Sequence, residues 1–197
     1  MPTLKINTLS MYEAKTFDIP ELTGISRESI DLHLGLYAGY VKHVNLIREQ
    51  MLKTDDANGY AQAEMQRRLG FEFGGMKNHE YYFSQFEGGH QALPDGKLKD
   101  MIESQWGSFE AWKERFATIA KTRGVGWAML YIDREADQLV QTWVDEQHQG
   151  QLGDVDIILA LDMWEHSYMR DFLPSAKGDY IEAWFSNLNW NVVADRV

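Results

Sequence analysis

Apolar and aromatic positions recur every three or four residues from Ser26 onward. Ile30, His33, Tyr37, Tyr40 or Val41, and Val44 make one stripe. That period predicts a helix over about residues 26–52, opened by Ser26 as an N-cap with Glu28 and Ser29 behind it. Shorter periodic stretches predict helices over about 58–69 and 75–85, the latter carrying Asn78-His79-Glu80-Tyr81-Tyr82-Phe83. Two amphipathic helices follow, 97–106 and 109–121, split by Gly107-Ser108. After Gly124-Val125-Gly126 the period changes to that of strands, at 127–133 and 139–144, joined by the polar turn Arg134-Glu135-Ala136-Asp137. Residues 157–161 supply a third strand, 145–156 a polar glycine-containing loop, and 180–193 a last aromatic helix. Residues 1–25 read as an irregular arm punctuated by Pro20 and Gly24.

Helices first, then helices with a short meander, is an α+β order rather than alternating βαβ. Gly88-Gly89 through Pro94-Asp95-Gly96 is the clearest break. It divides the chain into an N-terminal arm and helical domain, 1–90, and a C-terminal α+β domain, 91–197. With 197 residues, 44% of them apolar, seven Trp, nine Tyr and nine Phe, the chain can bury a dense aromatic core. The absence of cysteine excludes disulfides, thiolate metal sites, iron–sulfur clusters and cysteine nucleophiles, so any metal must be held by His, Asp, Glu or backbone. A net charge of −11 disfavours nucleic acid and anionic membranes as partners. No apolar run reaches 18 residues, and the polar start Met1-Pro2-Thr3-Leu4-Lys5 is unlike a signal peptide; a cytoplasmic protein is expected.

The chemistry concentrates in Ala160-Leu161-Asp162-Met163-Trp164-Glu165-His166. An apolar run ends in a carboxylate, and four residues later comes an imidazole. On a helical turn the two side chains share a side; across a strand–helix bend they flank it and converge. A carboxylate oxygen and an imidazole nitrogen that meet suit iron, manganese or zinc, while a buried ion pair is the plainer alternative. Among the other histidines, His33 lies on the apolar stripe of its helix and His79 stands beside aromatic residues, whereas His43 is on a more polar stretch and His90 in the Gly/Pro loop.

Asp162-Met163-Trp164-Glu165-His166-Ser167-Tyr168 resembles the C-terminal metal signature of the iron/manganese superoxide dismutase family. Leu93-Pro94-Asp95-Gly96-Lys97-Leu98, Gly107-Ser108-Phe109-Glu110-Ala111-Trp112-Lys113, Gly124-Val125-Gly126-Trp127 and Asn189-Trp190 resemble other parts of it. The resemblance covers roughly residues 22–197. It implies an N-terminal antiparallel helical hairpin followed by a three-stranded antiparallel sheet wrapped by helices. It also implies one iron or manganese ion per subunit, held by His33, His79, Asp162 and His166, and superoxide as substrate. Three neutral imidazoles and one carboxylate would leave the site at +1 with a divalent ion and +2 with a trivalent one, both tolerable in a buried cage. Trp127 and Trp164 would wall the site. Glu165 would reach a metal-binding His of a second copy, implying a homodimer with its interface near Glu165 and His166, or a tetramer built from it. Tyr40 stands for the gateway tyrosine, seven residues after His33 where the family has eight; seven residues of regular helix return to within about 20° of the starting direction. For the residue that hydrogen-bonds bound solvent, Gly75 stands where iron-type members carry Gln. The loop around 145–149 then offers His148 first and Gln147 second.

The family's Lys-His-His after the first ligand reads Leu36-Tyr37-Ala38 here, so Tyr37 replaces a His that pairs across the dimer with a tyrosine, and Met169 replaces that tyrosine. Lys77 and Phe83 stand where tryptophans are usual. Without the family's lysine, superoxide is either guided by a basic funnel of Arg170, Lys177 or Arg123 or arrives more slowly; measurable activity is expected, with its reduction left open. Two rival readings accompany these departures: a non-catalytic metal-binding dimer serving as an interaction module, and a zinc hydrolase on the same four ligands.

Overall fold

A computed structural model describes residues 10–54 and 57–197, so the first part of the predicted arm, residues 1–9, lies outside the described residues. From Ser10 to Ile25 the chain runs without helix or strand over the helices that follow. Helix α1 spans Arg27–Lys53, and the Ser26 hydroxyl accepts from the Ser29 N–H at 3.1 Å, satisfying one of the free donors of its first turn. Helix α2 spans Gly59–Ser84, capped by Asn58 on the Ala61 N–H.

The two helices predicted over 58–69 and 75–85 are therefore one. Gly70, Gly74 and Gly75 lower helix propensity by roughly 1 kcal/mol each relative to Ala, and sequence pattern alone reads them as a break. Packing explains two of them instead. A Cβ on Gly75 would stand 2.5 Å from the Tyr40 ring, and one on Gly74 would stand 2.2 Å from the Gln147 carbonyl oxygen. The helix continues because its partners press directly against its backbone. Contacts between His33 and His79, His43 and Glu72, and Met51 and Gln62 step in opposite directions along α1 and α2, the register of an antiparallel hairpin.

Helices α3 (Lys97–Trp106) and α4 (Phe109–Ala120) follow as expected, with Ser108 capping α4 on the Ala111 N–H. Strands β1 (Gly126–Asp133), β2 (Gln138–Asp145) and β3 (Asp156–Asp162) form an antiparallel sheet of order β2-β1-β3. The central strand is buried from Gly126 to Ile132, and each large apolar side chain so buried stabilises the fold by about 1.5–3 kcal/mol. Helix α5 is a single turn, Glu165–Tyr168. The predicted last helix over 180–193 is two, α6 (Lys177–Asn187) and α7 (Trp190–Ala194). The interruption is tertiary: the Asn189 N–H goes to the Gln85 carbonyl at 2.8 Å, and Gln91 pairs with Asn189 as an isolated bridge. The architecture is α+β, a helical hairpin followed by helices and a three-stranded antiparallel sheet.

Candidate metal centre

Each of four side chains reaches one point by a different route. His33 projects from α1 and His79 from α2, and their rings meet edge-on with centroids 4.9 Å apart. Asp162 ends β3, directly opposite Trp127 on β1. His166 lies in α5, one bend later. One atom from each of the four lies within 4.8 Å of the others.

The bend is fixed by backbone groups. The Trp164 N–H donates to Asp162 Oδ1 at 2.7 Å, the Met163 N–H to the Gly126 carbonyl at 2.9 Å, and the Trp164 indole to the Glu146 carbonyl at 3.1 Å. One carboxylate oxygen is thereby committed. The other, Oδ2, faces three imidazole Nε2 atoms: His33 at 3.1 Å, His166 at 3.3 Å and His79 at 3.6 Å.

His79 makes this a test for a cation. Its Nδ1 is 2.6 Å from the Gly75 carbonyl, a group that can only accept, so Nδ1 carries the hydrogen. Burial, then the charges of His33 and His166, pushes the imidazole down to about 3, so at neutral pH it carries that single hydrogen. Nε2 is then a bare lone pair, fully buried, without a hydrogen-bond partner, and aimed at a carboxylate oxygen. Two acceptors facing each other in a dry interior are tolerable with a positive ion between them. Ligands about 2.0–2.2 Å from one ion span up to roughly 4.3 Å across it, within a few tenths of the cluster's extent. The donor set fits a single ion bound through three nitrogens and one oxygen. Burial also lowers His33, against the opposing pull of Asp162. Burial raises the Asp162 carboxyl, but the charge and hydrogen bonds of His166 and His33 outweigh it and hold the group below the usual carboxylate range.

Around the four stand aromatic walls. Trp127 lies 5.0 Å from His79 and Trp164 stacks on His166 at 5.7 Å. Tyr40 reaches the same space despite its seven-residue spacing, its ring 5.0 Å from His79 and its hydroxyl raised by burial and by the charge of Asp162. Gln147, the second of the two loop candidates, is fully buried here: its Oε1 accepts from the Trp127 indole at 3.0 Å and its Nε2 donates to the Tyr40 hydroxyl at 2.9 Å. His148, the first candidate, turns away, with its ring against Phe71 at 5.9 Å and its Cδ2 close to Gly70. Within the turn closed by the paired backbone hydrogen bonds of Asp145 and Gln149, Gln147 is buried and His148 only partly so.

Tyr37 stacks beside His79 at 6.5 Å, but its hydroxyl points to the arm, accepting the Lys15 N–H at 2.9 Å. It is buried within this one chain, while Met169 is exposed. Glu165 faces solvent, and the His166 side chain keeps 23% of its surface. Asn78 stands on a helix in the sequence pattern, but nothing there gave it a role. Its Nδ2 donates to the Gln147 carbonyl at 3.0 Å and anchors the inward turn. An Asn in mid-helix, where its side chain competes with the backbone, was the available signal.

Residues 94–196 match the family described as iron/manganese superoxide dismutases, C-terminal domain. Over 160 residues, 81% of this chain and 78% of the relative, the sequence is 35% identical to a manganese superoxide dismutase of Haloarcula marismortui. It is 33% identical to an iron superoxide dismutase of Saccharolobus solfataricus over 88% of this chain and 85% of that one. An iron superoxide dismutase of Cupriavidus metallidurans is 32% identical over 94% and 96%.

Proposed function

The chain belongs to the iron/manganese superoxide dismutase family, and from that premise we propose how its residues convert superoxide to oxygen and hydrogen peroxide. The observation that carries the proposal is the unpartnered His79 Nε2 facing Asp162 inside a cluster of three imidazoles and one carboxylate. His33, His79, Asp162 and His166 would hold one iron or manganese ion. Such an ion supplies the one-electron acceptance and donation that dismutation requires.

The chain's own groups handle position and protons. Trp127 fixes the Gln147 amide: its indole can only donate, so it meets Oε1, and Nε2 must face Tyr40. One N–H of that amide goes to Tyr40, and the other is free to hold solvent inside the site. The Tyr40 oxygen accepts from Gln147, so its own proton is free for the reduced anion. Trp127 and Trp164 exclude water, which strengthens each of these interactions. Arg68, paired with buried Glu72 and stacked over Phe71 at 4.0 Å, lowers the pull of nearby acids on Tyr40 but is itself neutralised. Arg170, one expected guide for the anion, is tied to Glu28 at 2.5 Å. A slower approach of superoxide fits both facts.

A homodimer belongs to the same proposal. Leu32 and Leu36 are exposed on α1, Met169 just after α5 and Glu165 within it, and these would pack against a second copy. So do the division into units of 1–90 and 91–197, and a cytoplasmic location. Among the described residues no helix is long and apolar enough to cross a membrane. The interaction-module and zinc-hydrolase readings are not favoured, because the relatives are named as iron or manganese dismutases. Elemental analysis paired with a superoxide assay tests the whole. Stoichiometric iron or manganese with salt-sensitive consumption of superoxide is expected; stoichiometric zinc, or loaded protein inert toward superoxide, contradicts it.

A further inference from the structure

Beneath the ligand cluster lies a line of buried hydroxyls that the chemistry above does not use. The Tyr180 hydroxyl, from α6, donates to the backbone carbonyl of Asp162 at 2.9 Å. The Tyr82 hydroxyl, from α2, stands 3.1 Å from that of Tyr180. Since the proton of Tyr180 is given to Asp162, the bond between the two tyrosines is donated by Tyr82, and the line has one direction: Tyr82 to Tyr180 to Asp162. Both rings are fully buried. Ser167 Oγ also lies 2.9 Å from the Asp162 carbonyl, but it is closer to the Trp164 carbonyl, at 2.7 Å, and has a single proton to give.

Tyr82 touches a second ligand by another part of itself. Its ring packs against the ring of His33 with centroids 4.9 Å apart, three residues beyond His79 on the same helix. The line therefore begins on a ring that supports one ligand and ends on the backbone of another, joining α2, α6 and the end of β3. We propose that Tyr82 and Tyr180 are positioning residues, a hydroxyl tether that holds Asp162 and His33 in register and sets how firmly the site retains its ion. The tether rests on the metal reading above. Asp162 Oδ1 is held by the Trp164 N–H and its carbonyl by Tyr180, so Oδ2 can aim at one place only. Outer partners of metal ligands characteristically change metal affinity about 10- to 100-fold when removed.

Tyr180→Phe and Tyr82→Phe each delete one hydroxyl and keep the ring. In metal-loaded protein, release of the ion to excess chelator is expected to quicken about tenfold for Tyr180→Phe and about threefold for Tyr82→Phe. The double variant should release no faster than Tyr180→Phe alone, because Tyr82 acts on Asp162 through Tyr180. The electronic spectrum of the bound ion should shift in step. Tyr131→Phe is the reference: another buried tyrosine, on β1, whose cross-strand partner on β3 is Ile157 rather than Asp162. Release rates and spectra equal to the parent's overturn the tether, as does an equal acceleration by Tyr131→Phe, which would signify general loosening. A parent protein that takes up no ion overturns the metal reading itself.

Discussion

The hairpin and the strand–helix bend each deliver two side chains to the same point, yet they do so by different physics. His33 and His79 stand on long helices and are aimed by packing. Remove the contact between α1 and α2 and nothing local would bring the two rings together. Both are buried, and burial lowers both. Asp162 and His166 are four residues apart, and the backbone between them does the aiming, through the Trp164 N–H on Asp162 and the one-turn helix that follows. His166 keeps partial access to solvent. The deep pair gives the site its dryness, and the bend gives it charge and an opening.

The most severe test of this division is Asp162→Asn. The amide keeps an acceptor for the Trp164 N–H, so the bend survives, but the one carboxylate of the four-residue cluster is gone. Bound metal and dismutase activity should fall by more than about 100-fold, beyond the loss usual for an outer partner. Full metal content by elemental analysis would contradict it. Gln147→Ala touches neither pair. It removes the bridge between Trp127 and Tyr40, and superoxide consumption should fall about 10- to 100-fold while the ion stays bound. Loss of the ion along with activity would make Gln147 part of the cage rather than of the proton supply.

Acid should find the deep pair in metal-free protein. His79 is lowered from 6.5 to about 3, so between those values the unfolded chain binds a proton that the folded chain refuses. Stability is full above about pH 6.5 and declines as pH falls toward 3, by up to about 1.4 kcal/mol per unit from His79 alone. His33 is shifted in the same direction and steepens the decline. Urea midpoints measured at pH 7, 6 and 5 check this, and a flat series would refute it. The smallest effect belongs to the exposed pair Arg170–Glu28, which links α1 to the segment after α5. Glu28→Ala should leave the thermal unfolding midpoint nearly where it is and metal content unchanged, because solvent screens an exposed pair.

Legibility in the sequence followed the same division. Asp162-Met163-Trp164-Glu165-His166 could be read directly because its geometry is local. The stripe that carries His33 was readable too, because a helical period aligns its members. The continuity of α2 was not. Its glycines look like breaks in one dimension, and only the approach of Tyr40 and Gln147 explains the two at 74 and 75. The choice between Gln147 and His148 was equally closed to pattern, since neighbouring residues of one turn differ in direction and not in kind. The burial of Tyr37 under the arm depends on Lys15, far away in the chain.

By itself, the sequence determined the α+β order with helices ahead of strands, the excluded chemistries and the local pair Asp162 and His166, while His33 and His79 joined that pair through resemblance to a known family. The parts read from the residues alone depend on residue type and on spacing within a few turns. The tertiary structure alone decided which loop residue faces inward, where Tyr37 points, and which hydroxyls lie beneath Asp162. Those outcomes depend on the packing of segments distant along the chain, whose mutual directions no local period encodes.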